Sequence, residues 1–460
     1  MPARPRVPSD PARETAYALL RAVAERDAYA NLVLPELLRA RRLDRRDAAL
    51  ATELGYGTLR AQGTLDAVLA ACVDRRLADV DPALLLALRL GAYQLLRTRV
   101  PPHAAVSSTV ELARAMLGEG PAKFANAVLR RVAGRGLAGW LAELAPPYDV
   151  DPVAHLAMTT FHPSWVVSAY CEALGGDLTE TAAALGADAE RPRVHLVARP
   201  GRITPAQLLA DTAPGGRPGP WSPYAVHLHR GDPGRLAAVR DGRAAVQDEG
   251  SQLAALALAR VPVEGRDDRW LDVCAGPGGK AGLLAGLAAG RGARLVAADR
   301  APHRARLVRS TLAGAPAGTA VVVADGTAPP WAVGGLDRVL VDAPCSGLGA
   351  LRRRPEARWR RSPADVAGLF PLQCALLDGA LTAARSGGVV AYVTCSPHPG
   401  ETTDVVAAVV ASRPDVEPVD ARPLLAGVPQ LGNGPDVQLW PHRHGTDAMF
   451  VALLRRVDRP

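Results

Sequence analysis

Two cysteines have a setting suited to covalent chemistry: Cys345 in Asp342-Ala-Pro-Cys345-Ser-Gly and Cys395 in Val-Thr394-Cys395-Ser-Pro. Each follows a short apolar run, Arg-Val-Leu-Val before the first and Val-Val-Ala-Tyr-Val before the second. Runs of this kind read as buried parallel strands, and their C-terminal ends are where open α/β sheets bind ligands. A thiolate adds to electron-poor carbon, so two thiols facing one pocket point to covalent catalysis rather than packing. Cys72, Cys171 and Cys374 lack this setting and read as small buried hydrophobes.

A second constellation lies upstream, where a strand runs into Cys274-Ala275-Gly276-Pro277-Gly278-Gly279-Lys280 and then a helix. Glycines let the backbone approach a ligand, and the helix N-terminus offers free N–H groups. A P-loop would need GxxxxGK[ST], but Cys274 stands for its first glycine and Ala281 for its Ser/Thr. A dinucleotide fingerprint would need a third glycine where Ala281 stands. The next two strands end at Asp299 and Asp325, placed for ribose hydroxyls and an adenine amino group, although each could equally cap a helix. Together they favour an adenosine without a pyrophosphate, hence S-adenosylmethionine. All but two of the 54 basic residues are arginine, and one of the two lysines, Lys280, falls inside this loop. A compact ammonium fits there where a guanidinium fork does not.

The elements around these sites sort into three stretches. Residues 11 to about 140 show helical spacing throughout (Leu32, Leu34, Leu37, Leu38; Leu84, Leu85, Leu88, Tyr93), broken at Asp81-Pro82, Pro101-Pro102, 118–121 and 134–139. Residues 146–245 are less regular, with strand candidates at 193–198 and 225–229 around a Pro/Gly-rich loop at 214–223. From residue 246 strands alternate with helices: 270–274, 294–298, 320–323, 338–341 and 389–393, followed by an edge hairpin of 437–440 with 448–454. The expected architecture is multidomain: an all-α bundle over 1–145, a small α/β connector over 146–245, and a doubly wound, mostly parallel α/β sheet over 246–460.

Bulk properties narrow the class further. A chain of 460 residues with 48% hydrophobic and 22% charged residues folds into packed domains rather than staying disordered. Six scattered cysteines make neither a disulfide framework nor a CxxC pair, so no metal is expected. The Met1-Pro-Ala-Arg start has no apolar leader and no run of about 18 apolar residues appears, so a cytoplasmic, membrane-free protein is expected; a monomer is expected as well, without a sequence feature that requires it. A formal charge of +8 permits a polyanionic partner.

The combination of Leu-Asp272-Val-Cys-Ala-Gly-Pro-Gly-Gly-Lys280, Asp342-Ala-Pro-Cys345-Ser-Gly and Thr394-Cys395-Ser resembles the RNA 5-methylcytosine methyltransferases. Asp47 with Leu54-Gly-Tyr56-Gly57-Thr-Leu-Arg60, and Phe124-Ala-Asn126-Ala-Val-Leu-Arg130-Arg131, resemble the NusB-like RNA-binding domain fused to the ribosomal RNA small subunit methyltransferase B branch. The likeness runs over nearly the whole chain; Gly276 stands where the family usually has Ala, and Ala281 where Thr is common. It implies methyl transfer from S-adenosylmethionine to C5 of a cytosine in small-subunit ribosomal RNA, with the cofactor on residues 274–280, Asp299, Asp325 and Asp342. It further implies Cys395 as the attacking thiol, Cys345 in proton removal or product release, and Asp342 on the cytosine N3/N4 edge. DNA cytosine methyltransferases use a Pro-Cys nucleophile, so the residues alone do not order the pair.

RNA contact is expected from the arginines after the Pro-Cys loop, Arg352, Arg353, Arg354 and Arg358, with Trp359 among them to stack on a base or to pack. A second cluster, Arg39, Arg41, Arg42, Arg45 and Arg46, marks a helix end. Two rival readings are the same chemistry on transfer RNA, and a non-catalytic RNA-binding or antitermination-type factor.

Overall fold

The computed structural model describes residues 10–229 and 231–458, so the N-terminal start lies outside the described residues. It resolves into two compact units. The first holds the chain up to Cys171, Gly176–Ala189 and, from far along the sequence, Leu351–Arg361; the second holds Glu172–Gly175, Glu190–Ala350 and Ser362 onward.

The first unit is helical, as its spacing anticipates. Helices Pro11–Arg26, Arg45–Cys72, Pro82–Arg97 and Pro152–Thr160 begin on the carboxylates of Asp10, Asp44, Asp81 and Asp151, each accepting an N–H of the first turn. The long helix 45–72 packs closely because its glycines leave room. A Cβ at Gly57 would lie 2.0 Å from the Tyr93 ring, and one at Gly63 would lie 2.5 Å from the Trp359 ring. One leucine-rich core, including Leu19, Leu54, Leu65, Leu88 and Leu129, serves these helices.

The second unit contains two sheets. The smaller is antiparallel in the order β2-β3-β1-β4, from β1 (Val194–Ala198), β2 (Gly216–Pro218), β3 (Ala225–Leu228) and β4 (Ala244–Val246). β2 lies inside the stretch expected to be a loop, and β4 had no sequence signal. His195 and His227 are partners in the β1–β3 register, and their rings stack 3.9 Å apart. Glu249 accepts from His227 Nε2 at 2.8 Å and from the N–H groups of Trp221 and Ser222. Although these three residues offer ligand atoms within 4.8 Å of one another, the parallel rings aim their in-plane lone pairs side by side rather than at one ion.

The larger sheet runs β10-β12-β9-β8-β5-β6-β7, with β11 (Val437–Gln438) on β12. Its parallel part comprises β5 (Arg269–Asp272), β6 (Arg294–Asp299), β7 (Thr319–Val323), β8 (Leu336–Asp342) and β9 (Ala384–Thr394). β12 (Phe450–Arg456) joins antiparallel to β9, and β10 (Val416–Val419) joins β12. The expected edge hairpin is present as β11 against β12, and β10, which the sequence did not announce, extends the same outer edge along the later half of β12.

Strand order reverses at β5, whose neighbours are β6 and β8, and such a switch point opens a crevice at the strands' C-terminal ends. Asp337, fully buried at the start of β8, accepts from the Asp268 and Arg269 N–H groups and from Arg266 and Arg385, which fixes the opposite end of the sheet. Helix Pro363–Ala383 is long and apolar enough to cross a membrane by length and composition. In this fold its Leu376, Leu377, Ala380 and Leu381 are core residues against β8 and β9.

Candidate active site

Four strand ends bring the expected residues to one edge of the larger sheet. β5 delivers Asp272 and the glycine loop, β6 Asp299, β8 Asp342 and Cys345, and β9 Thr394 and Cys395. The loop turns through Gly278, whose φ of 108° is left-handed, and enters helix Gly279–Ala289 N-terminus first. A Cβ at Gly278 would lie 2.8 Å from Thr311, whose hydroxyl donates to the Pro277 carbonyl. A Cβ at Gly276 would lie 2.4 Å from Asp299 Oδ2, the atom that accepts the Gly276 N–H at 3.1 Å. The absence of the family's usual alanine here goes with this tight fit, which Arg304 closes by donating to the Gly276 carbonyl.

Asp299 is buried, with Oδ1 accepting from the Ala301 N–H at 2.9 Å. Asp325 is exposed and holds a local turn through the Thr327 N–H and hydroxyl, which keep its carboxyl below the ordinary range. Neither carboxylate acts as a helix cap. Lys280 is buried and pairs with Asp342 Oδ2 at 2.8 Å. Burial alone would lower its pKa, but Asp342, with the Cys395 sulfur and Asp272, holds it above the ordinary lysine value.

Asp272 has no hydrogen-bond partner for either carboxylate oxygen, although it is fully buried. Burial and the nearby Asp342 charge push its pKa well up, and the Lys280 charge offsets only part of this. A buried acceptor without a donor, beside a helix N-terminus and a glycine loop, suits a ligand that carries positive charge and N–H groups. S-adenosylmethionine has both, so the residues present fit it.

The thiols meet. Cys345 and Cys395 are both half-buried, with their sulfurs 3.3 Å apart, close enough for one thiol to donate to the other. The shared proton, burial and the charges of Cys395, Glu401 and Asp342 hold Cys345 well above the ordinary thiol value. Cys274 is pushed up by burial and by the surrounding carboxylates, so it serves the loop as an unreactive thiol. The backbone ties both cysteine loops together, since the Gly349 N–H donates to the Cys395 carbonyl at 2.9 Å and the Gly349 carbonyl accepts from Ala448 at 2.8 Å. A Cβ at Gly349 would lie 2.0 Å from the Ala448 carbonyl oxygen.

Sequence reasoning missed the residues that lock these loops. Glu401 is fully buried and accepts the Ser346 N–H at 2.6 Å and the Ser346 hydroxyl. Ser346 and Ser396, the residues after each cysteine, stand 3.5 Å apart through their hydroxyls. The repeated Cys-Ser pair was the available signal; Glu401 had none.

The expected phosphate contact of Arg358 is corrected, and Trp359 takes the packing alternative rather than standing free to stack on a base. Arg358 is fully buried in the helical unit, donates to the Phe161 carbonyl at 2.8 Å, and is lowered by burial to about 9. The Trp359 indole donates to the Leu59 carbonyl at 2.7 Å and fills the space left by Gly63. Both side chains are engaged in packing because this short segment supplies part of the bundle's core. Arg352 is likewise buried, whereas Arg353 is half-buried and Arg354 is exposed, over the Tyr29 ring.

Comparison with known proteins gives the family. Residues 259–455 match the family described as 16S rRNA methyltransferase RsmB/F, and residues 10–134 match the NusB family. A Mycobacterium tuberculosis chain, named as a methyltransferase without a substrate, is 56% identical over 453 residues, covering 98% of both. The ribosomal RNA small subunit methyltransferase B of Pseudomonas putida is 32% identical over 97% of this chain and 98% of its own. The crystal structure of PH0851 shares the fold, with a TM-score of 0.81 at 20% identity over 98% of this chain and all of that one. The chain belongs to the RsmB/F family of S-adenosylmethionine-dependent RNA cytosine-C5 methyltransferases and carries a NusB domain.

Proposed function

We propose that the substrate is small-subunit (16S) ribosomal RNA, methylated at C5 of one cytosine through a covalent bond to Cys395. The observation that carries the reading is the thiol pair, 3.3 Å apart beside the cofactor loop. Cytosine C5 is a poor nucleophile, and addition of the Cys395 thiolate to C6 makes it enamine-like. S-adenosylmethionine, held by residues 274–280 with Asp299, Asp325 and Asp342, supplies the methyl group. Asp342 takes the N3/N4 edge of the base and favours its activated form. Cys345 then assists loss of the C5 proton, and cleavage of the C6–S bond releases product and restores the Cys395 thiol. The asymmetric surroundings support this order, because Lys280 feels the Cys395 sulfur while Glu401 and Asp342 act on Cys345.

The target base must leave its stack to reach a half-buried sulfur, so an unpaired cytosine is the expected substrate. Arg353 and Arg354, which follow the Pro-Cys loop in sequence, are the phosphate contacts of this reading, and the exposed Arg39, Arg41, Arg42, Arg45 and Arg46 form a second basic cluster. The enzyme is taken to work in the cytoplasm as a monomer.

The roles are tested by incubating variants with RNA and cofactor and resolving the covalent adduct by denaturing electrophoresis. Cys395→Ser should form none and Cys345→Ser should accumulate it; the reverse pattern overturns the order. Bisulfite sequencing of ribosomal RNA from cells with and without the gene tests the substrate. An unchanged small-subunit profile sinks that assignment while leaving the chemistry intact.

A further inference from the structure

Glu401 ends the short turn Pro399–Glu401 that follows the Cys395 loop. It is fully buried, and its carboxylate meets donors only: the Ser346 N–H at 2.6 Å, the Ser346 hydroxyl, and the Gln373 amide at 3.4 Å. The same Gln373 amide donates to the Pro344 carbonyl at 2.8 Å, so Glu401 and Gln373 grip the residues on both sides of Cys345. Its own backbone is pinned by the Tyr392 hydroxyl, which donates to the Glu401 carbonyl at 2.9 Å from within β9. Among the described residues no cation forms an ion pair with Glu401, so neutral dipoles alone satisfy it. Loop fixation by itself needs only an acceptor, whereas a buried unneutralised charge also imposes a field on its neighbours.

We infer that Glu401 is a positioning residue for the cysteine pair: it fixes the Pro-Cys loop against the Thr-Cys loop and makes the thiols unequal, with Cys345 the hydrogen-bond donor and Cys395 the attacking sulfur. The ionisable groups around Cys345 are consistent with this. From β8 comes Asp342, itself paired with Lys280 of the cofactor helix; from β9 come Cys395 and Tyr392; from the following turn comes Glu401. Three of these, Cys395, Glu401 and Asp342, raise the Cys345 thiol, and the single ammonium in the group, Lys280, is bound to Asp342.

The inference rests on the reading of Cys395 as nucleophile, yet its test needs neither RNA nor cofactor. The full-length protein is treated with iodoacetamide over a pH series, and initial alkylation rates at each cysteine are read by peptide mass spectrometry. In the natural sequence Cys395 should react faster than Cys345. Glu401→Gln keeps an acceptor for the Ser346 N–H and removes the charge, so the Cys395-to-Cys345 rate ratio near neutral pH should fall at least about threefold, matching a relative shift of about half a pH unit. Ser346→Ala keeps the charge and removes only the hydroxyl, so its ratio should stay at or above the natural value, and this variant serves if Glu401→Gln fails to fold. A ratio unmoved in folded Glu401→Gln, or lowered as much by Ser346→Ala, overturns the inference. If the ratio behaves as expected but Cys395→Ser still forms the RNA adduct, the assignment of nucleophile fails and the role of Glu401 in setting the asymmetry stands.

Discussion

At the scale of single residues the site is defined by what its side chains touch. Gly276 is the sharpest case, because Asp299 occupies the volume an alanine methyl group would take. Gly276→Ala should break the N–H to Asp299 bond and lower stability by about 1 kcal/mol, measured as a fall in the thermal midpoint, with weaker cofactor binding by calorimetry. Unchanged values in both assays would show that Asp299 swings away at no cost. The thiol pair was legible in the sequence because strand ends and small-residue loops announce such positions. Glu401 was not, since a lone acid after Pro-Gly reads as an ordinary turn, and only the packing of the loops gives it Ser346. Arg358 misled, and Trp359 stayed open between stacking and packing, for a related reason: charge and aromaticity in sequence do not reveal that a side chain is turned inward.

Between elements, the contact of Trp359 with helix 45–72 illustrates how a glycine in one segment and an aromatic in another define each other. Trp359→Ala empties the space over Gly63 and removes the donor to the Leu59 carbonyl, and should cost about 2–4 kcal/mol in urea unfolding of the helical unit. Gly63→Val should cost about 1–3 kcal/mol from the opposite side by overpacking. If either substitution is neutral, the indole is not seated as described. By contrast, neutralising the exposed Arg354 should leave stability unaltered and reduce the salt dependence of RNA binding by about one counterion. Long helices and buried parallel strands were readable from periodicity alone. β2 and β4 were not, because three residues are too few to show alternation. Of the partners of β12, β11 was expected but β10 escaped, because an apolar run states that a strand is buried without saying between which neighbours.

For the molecule as a whole, response to acid should follow Asp337. Burial raises its carboxyl, but hydrogen bonds from Arg385, the Arg269 N–H and Arg266 outweigh this and leave it below the ordinary value. A group lowered on folding stabilises above its unfolded pKa of about 3.9 and loses that contribution as pH falls through the lower folded value. Thermal midpoints should therefore be insensitive to this group near neutrality and decline below about pH 4. Asp337→Asn should lower the midpoint at pH 7, equivalent to about 2 kcal/mol, and flatten the acid decline. An acid limb of the same depth in the variant would assign that decline to other carboxylates.

The membership of Leu351–Arg361 in the helical unit has a consequence for dissection. A fragment beginning near residue 190 would look, by sequence order, like an intact catalytic half. It would nonetheless carry Trp359, the buried Arg358 and Arg360 without the Leu59, Phe161 and Val23 carbonyls that receive them. Such a truncation leaves an orphaned plug: an indole and two guanidinium groups shaped for a socket that has been cut away. It should be less soluble than the full chain and regain solubility when residues 10–189 are supplied as a separate polypeptide. The two halves are thus sewn rather than strung together, and the stitch lies six residues beyond Cys345.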